Sequence, residues 1–225
     1  MAEKFKSGEG ITTEELARHL RQPQGEIGKE VGLQMNKGNK HISLNAYKLL
    51  SPLPGSHILE IGMGNGFFVN NLMEMAKNLR YTGIDFSEIM VEEANKINKI
   101  LVRTGNVGFK FASVENLPFA ANSFDYITTT NTIYFWPDIK ENAKEVLRVL
   151  KPGGQLLIGY RPKSVMDNLE VTKYGFAKYE ALEIETLLQD VGFLEVSTVA
   201  IKEPEIEFNG HAIIMEGLFT IGFKQ

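Results

Sequence analysis

At 225 residues the chain has room for one sizeable domain, and a domain of that size buries roughly 70 to 75% of its unfolded surface without a disulfide or structural metal. Cysteine is absent, 43% of residues are apolar and the net charge is −4. That excludes disulfide frameworks, cysteine zinc sites and thiolate nucleophiles, argues against disorder, and leaves no global positive field for nucleic acid or anionic lipid. The opening MAEKFKSGEG lacks the apolar run of a signal peptide, and no stretch reaches the roughly 18 apolar residues of a membrane span. A cytoplasmic protein without nucleic-acid partners or membrane spans is the expectation.

Residues 1–54 begin with a capped helix, Thr12 and Glu15 standing in capping-box spacing ahead of Leu16 and Leu20. A Gly- and Lys-rich stretch follows, then a second helix ending near Leu50, before Pro52 and Pro54. So short a segment buries little core alone, so it reads as a helical cap on a domain formed by residues 55–225.

From Gly55 onward strand-like runs alternate with helical ones, the pattern of a parallel sheet with helices on both faces. The strands are Ser56 to Ile61, Arg80 to Ile84, Val107 to Ala112, Phe124 to Thr130 and Gln155 to Tyr160. Between them, a helix from the cap Ser87 to about Arg103 carries Met90, Ala94, Ile97 and Leu101 on one stripe. Another runs from Asp138, with Glu141 three residues on, to Lys151, where Pro152, Gly153 and Gly154 stop it. After a helix at about Lys178 to Val191, closed by Gly192, two strands follow without an intervening helix, Phe193 to Lys202 and Ala212 to Lys224. Pro204 and Asn209-Gly210 supply turn chemistry between them, so the sheet is expected to end in an antiparallel pair. Met35, Met63, Met73, Met75 and Met90 read as core or gap-filling residues.

The stretch Glu60-Ile61-Gly62-Met63-Gly64-Asn65-Gly66-Phe67 breaks a buried strand into three alternate glycines. Glycines there let backbone approach a ligand closely. The dinucleotide fingerprint would place its third glycine at position 67, which is Phe67. Glu60 would repel a diphosphate but suits a ligand carrying an ammonium group. Asp85 ends the next strand 19 residues beyond Gly66, where a carboxylate can accept both hydroxyls of a ribose, and Phe86 beside it can pack on a base. The loop Phe111 to Phe119 and the run from Ser123 through Asn131, Tyr134 and Trp136 to Asp138 end at the same sheet edge.

These segments, ILEIGMGNGFF, GIDFSEIM, ENLPF, SFDYITTTNTIYFWPD and VLRVLKPGGQLLI, stand in the order and spacing of one family. The chain resembles the class I S-adenosylmethionine-dependent methyltransferases, specifically the small-molecule group related to the ubiquinone/menaquinone biosynthesis enzymes. The resemblance covers about Gly55 to Tyr160 closely and the end of the chain more loosely. It implies an α/β, Rossmann-like, seven-stranded and mostly parallel sheet whose last strand is antiparallel. It also implies S-adenosylmethionine as cofactor, with S-adenosylhomocysteine as product. Glu60, Gly62 and Gly64 would then surround the methionyl part, Asp85 would hold the ribose and Phe86 with Val114 flank the adenine, with Met63 and Gly66 also at the cofactor. The loop holding Asn131 would approach the methionyl part and methyl group. Family members often carry Asp where this chain has Ser113, and that Asp takes the adenine amino hydrogen; Ser113 can still accept that bond, without charge assistance.

Methyl transfer from a sulfonium needs positioning more than a base, and positioning can supply about 7 to 11 kcal/mol of the barrier. Should the acceptor need deprotonation, His41, Tyr134 and His211 are the candidates. The acceptor pocket is expected under Asn36, Lys37, Asn39 and His41 of the cap and beside Tyr134, Trp136, Tyr160 and Arg161. No metal ligands are expected. The acceptor reads as a small organic molecule. A nucleic-acid or protein acceptor is disfavoured by the acidity and by Thr130-Asn131-Thr132-Ile133 standing in place of an Asn-Pro-Pro-aromatic or Asp-Pro-Pro-aromatic run. A non-catalytic cofactor-binding scaffold of the same fold is the reading from another class.

Overall fold

The computed structural model describes residues 10–208 and 211–225, without the side chains of 206–213. Helix α1 (Thr13–Arg21) starts on the capping box, Thr12 Oγ1 accepting from Glu15 N–H and Glu15 from Thr12 N–H. Helix α2 (Gly25–Leu50) then runs unbroken for 26 residues, so the Gly- and Lys-rich stretch expected as a break is helix. Two of its glycines serve close packing: a Cβ at Gly28 would stand 2.7 Å from the Pro23 carbonyl carbon, and one at Gly32 would stand 2.9 Å from Met90 Cε.

Strand β1 (His57–Ile61) and helix α3 (Val69–Met73) flank the glycine turn, followed by β2 (Arg80–Asp85). The single helix expected from Ser87 to Arg103 is two, α4 (Glu88–Ile97) and α5 (Lys99–Arg103), with β3 (Val107–Phe111) beyond them. Asn98 makes the break: its amide donates to the carbonyls of Gly66 and Ala94, each at 3.0 Å, tying the glycine turn to α4 instead of continuing a regular helix. Then come β4 (Phe124–Thr130), α6 (Ile139–Val149), β5 (Leu150–Tyr160), the short α7 (Lys163–Met166), and α8 (Ala181–Val191), which ends on left-handed Gly192. Asp138 caps α6 through the N–H groups of Lys140 and Glu141. Helix α6 gives way to strand at Leu150, one residue before the expected stop. Strands β6 (Leu194–Lys202), β7 (Ile206–Phe208), β8 (His211–Ile213) and β9 (Glu216–Phe223) complete the chain.

Seven strands form one sheet in the order β3-β2-β1-β4-β5-β9-β6. Strands β1 to β5 pair in parallel, whereas β9 runs antiparallel to both β5 and β6. The last strand therefore lies inside the sheet and β6 is the edge. The connector between β6 and β9 forms its own small antiparallel pair, β7 with β8; the expected turn at Asn209-Gly210 lies outside the described residues.

Strand side chains alternate between two cores, as period-2 geometry requires. Leu59, Leu156 and Leu218 face the core shared with α6 and α8, while Ile58, Leu157 and Phe219 face the one shared with Ile42, Ala46, Tyr47 and Leu50 of α2. The chain reverses its strand order between β1 and β4, and a crevice opens beyond the carboxyl ends of the strands there, where such sheets take ligands.

Candidate functional site

The three glycines after β1 all adopt left-handed backbone, with φ of 70°, 59° and 65° at Gly62, Gly64 and Gly66, yet their surroundings differ. A Cβ at Gly62 would overlap the Thr132 methyl, and one at Gly66 would press on Asn98 and Ala94. Only Gly64 faces open space, with nothing within 4 Å of such a carbon. Open space beside the backbone is thus left at Gly64, while the other two glycines let the loop after β4 and helix α4 come near. Helix α3 begins only at Val69, beyond the turn.

Asp85, at the end of β2, holds this turn. Its Oδ2 accepts from Gly64 N–H at 3.0 Å and its Oδ1 from Ser87 N–H at 2.9 Å. Burial pushes its carboxyl up to about 6, against the lowering pull of these backbone donors. Each oxygen keeps a lone pair for a further donor.

Glu60 is buried and bonded to two phenols: Tyr47 donates at 2.8 and 3.0 Å and Tyr81 at 2.7 Å. Its partners are thus hydroxyls from α2 and β2. Burial lifts its carboxyl above the usual range, and burial beside the carboxylate lifts both phenols.

Met63, Phe86, Ser113, Val114, Asn131 and Trp136 all line the crevice with the glycine turn, Glu60 and Asp85. The crevice holds about 1,210 Å³ of space, open solvent at its mouth included. Asn131 adopts left-handed backbone, φ 56°, and its amide bridges α2 to the core, donating to Asn39 Oδ1 at 3.0 Å and accepting from Tyr134 OH at 2.9 Å. Ser113 is already engaged with Glu115: its Oγ accepts the Glu115 N–H and donates to Glu115 Oε2 at 3.0 Å.

Tyr134, Tyr160 and Arg161 stand apart from the crevice. The Tyr134 hydroxyl is buried behind Asn131, between its amide and the Arg161 N–H. Burial raises that phenol above its ordinary range, so neither its place nor its acidity suits a general base. Tyr160 is fully buried, its hydroxyl on Thr220, and Arg161 forms a buried ion pair with Glu203, Nη2 to Oε2 at 3.0 Å. His41 is half-buried on α2 outside the crevice lining, and the side chain of His211 lies outside the described residues. From the cap, Asn36 and Asn39 line the crevice and Lys37 does not.

Sequence reasoning missed the rest of the roof: Leu20 and Arg21 of α1, and Gly32, Met35, Ser43 and Tyr47 of α2. The signal was present, since positions 32, 36, 39, 43 and 47 recur at helical spacing. It needed the stretch to be read as one helix. Met35 is crevice-lining and Met75 is 40% exposed, where packing roles were expected.

Comparison with known proteins agrees with this geometry. Residues 59–158 match the methyltransferase domain family, and the chain resembles the class I S-adenosylmethionine-dependent methyltransferases. It is 31% identical over 119 residues to an uncharacterized methyltransferase, YdaC, of Bacillus subtilis, covering 53% of this chain and 64% of that one. It is 39% identical over 110 residues to the ubiquinone/menaquinone biosynthesis C-methyltransferase UbiE of Rickettsia felis, covering 47% and 44%. The matched segments thus span less than two thirds of either relative. In fold it is similar to a SAM-dependent methyltransferase from Thermotoga maritima, with a TM-score of 0.66, 24% identity and coverage of 95% of this chain and 100% of that one.

Proposed function

We propose that the chain is an S-adenosylmethionine-dependent methyltransferase that passes a methyl group to a small organic acceptor by in-line displacement. The observation that carries this reading is the buried Asp85 carboxylate bonded to the N–H of the one glycine that faces open crevice. The residues present fit the cofactor: free acceptor positions on Asp85 suit two ribose hydroxyls, bare backbone at Gly64 suits an aminoacyl tail, and Phe86 with Val114 gives apolar surface for a base. Glu60, already fixed by two phenols, offers the negative end to an ammonium group.

Bound there, the cofactor would supply an electrophilic methyl on a sulfonium. The chain's part is to orient and to dry. Trp136, Phe135 and Pro137 from the loop after β4, with Met35 and Leu20 from the cap, give the acceptor space apolar walls, and Asn36, Asn39 and Asn131 add neutral hydrogen-bonding amides. In this reading residues 10–54 roof the site over a domain starting near residue 55, and the protein works in the cytoplasm on a small molecule.

Thermal shift with S-adenosylhomocysteine and with NAD tests the reading. At a hundred times its dissociation constant a ligand stabilises by about 2.7 kcal/mol, so a clear rise with S-adenosylhomocysteine and none with NAD is expected. A rise with NAD alone contradicts it. A rise with S-adenosylhomocysteine but no turnover over a broad acceptor panel would favour the scaffold.

A further inference from the structure

A chain of polar groups runs from the end of β5 to the crevice wall, and it can point only one way. It begins at the Arg161 backbone N–H, which donates and cannot accept. The Tyr134 hydroxyl, buried, takes that bond. The phenol must then place its own proton, and the acceptor it meets is Asn131 Oδ1 at 2.9 Å. The Asn131 carbonyl is thereby turned towards Tyr134 and its Nδ2 towards α2, where it donates to Asn39 Oδ1 at 3.0 Å. The reverse setting of the Asn131 amide would leave the buried phenolic proton without an acceptor, the more costly arrangement.

Asn39 is the last link. Its oxygen is taken by Asn131, while its Nδ2, with two protons to give, has no partner among the described residues. Asn39 and Asn131 both line the crevice, so the chain ends at that wall in a donor and not in an acceptor. The donor is also neutral. Among the described residues lining the crevice the one basic side chain is Arg21, exposed at the end of α1. Leu20, Met35, Phe135 and Trp136 make the neighbouring walls apolar. A carboxylate or phosphate brought among them would shed its hydration with no countercharge beyond that arginine, whereas an uncharged oxygen needs only a hydrogen bond.

We infer that Asn39 donates from Nδ2 to an oxygen of an uncharged methyl acceptor, with Tyr134 and Asn131 as positioning residues that keep the donor turned to the crevice. This rests on the methyltransferase reading above. It gives the Tyr134 phenol, unsuited to be a base, a place in acceptor choice through the direction of its proton.

An NMR titration of the full chain saturated with S-adenosylhomocysteine tests the assignment. The probes are acetophenone and α-methylstyrene, a pair of one shape in which a methylene group replaces the carbonyl oxygen. In the wild type acetophenone is expected to shift the Asn39 side-chain amide signal and α-methylstyrene to leave it in place. The ratio of the two affinities is expected to fall about threefold or more in Asn39→Ala, the scale of one neutral hydrogen bond. It should fall further in Asn39→Asp, which still accepts from Asn131 but turns a carboxylate to the carbonyl. In Tyr134→Phe the Asn131 amide is free to turn, so the ratio should fall by a smaller factor; a merely structural role would weaken both probes alike. An unchanged ratio in Asn39→Ala, or no binding of acetophenone to the loaded wild type, overturns the inference and leaves the cofactor reading standing. A loss of S-adenosylhomocysteine affinity in Asn39→Ala with the ratio unmoved would assign the donor to the cofactor and overturn it as well. Failure of the wild type to bind S-adenosylhomocysteine overturns both.

Discussion

Asp85 carries its charge at a cost to the fold. Burial raises its carboxyl from 3.8 to about 6, so the folded, ligand-free chain binds that proton more tightly than the unfolded chain does. Above about pH 6 the group lowers stability by about 3 kcal/mol, and this penalty fades as pH falls towards 4. Hydroxyl donors from a ligand favour the charged form, so binding should weaken as pH falls through about 6. The rise in melting temperature given by S-adenosylhomocysteine is therefore expected to be largest near neutrality and to shrink by about pH 5; a constant rise across that window contradicts this role for the carboxylate. The glycines allow a sharper comparison. Gly62→Ala puts a methyl into Thr132 and is expected to destabilise by about 1 to 3 kcal/mol beyond the left-handed strain. Gly64→Ala meets no neighbour, so its stability cost should be the strain alone, about 1 to 2 kcal/mol, with the main loss in ligand affinity. Urea denaturation and calorimetry of the two variants separate these effects. The sequence presents three glycines at one spacing, and their separate jobs are invisible there because the partners, Thr132 and Asn98, are distant in the chain.

At the scale of elements, the strands were legible and the longest helix was not. Strands buried on both faces read as apolar runs bounded by turn residues, and β4 falls on the residues its pattern marks, Phe124–Thr130. Helix α2 contains Gly25, Gly28, Gly32 and Gly38, which local propensity counts against a helix. Packing against Pro23 and Met90 outweighs that propensity. The aromatic run after β4 was ambiguous for a different reason: a loop sequence does not say which of Tyr134 and Trp136 turns inward. In the fold Tyr134 became a bridge to the Arg161 backbone, and Arg161 turned to Glu203. That ion pair fastens the end of β5 to the segment after β6, with side chains 6% exposed on either side. Glu203→Ala leaves the guanidinium buried without a counter-charge and is expected to cost about 3 to 5 kcal/mol in chemical denaturation. Replacing the pair by Met at 161 and Leu at 203 should recover most of that loss. Affinity for S-adenosylhomocysteine should stay unchanged in both if Arg161 has no place in the site; a selective loss of affinity returns it to the pocket.

For the whole molecule, sheet and cap share one structure. Ile42, Ala46, Tyr47 and Leu50 of α2 pack with Ile58, Leu157 and Phe219 of the sheet, and the same helix presents Asn36, Asn39 and Ser43 to the crevice. The glycine turn, Asp85 and the loops after β3 and β4 meet because parallel strands put their carboxyl ends on one edge, and this much could be foreseen from strand order alone. The cap side of the crevice was less legible, since its walls come from a helix and a loop whose side chains are set by tertiary contacts and not by local pattern. The proposed function turns on one carboxylate at that edge, Asp85. Titration calorimetry of S-adenosylhomocysteine into the wild type and into Asp85→Ala near neutral pH tests it most directly. Binding to the wild type and a loss of roughly ten- to a hundredfold in the variant are expected, the worth of charge-assisted hydrogen bonds to the ribose. Equal affinity in the two proteins, or no binding to the wild type, would contradict it.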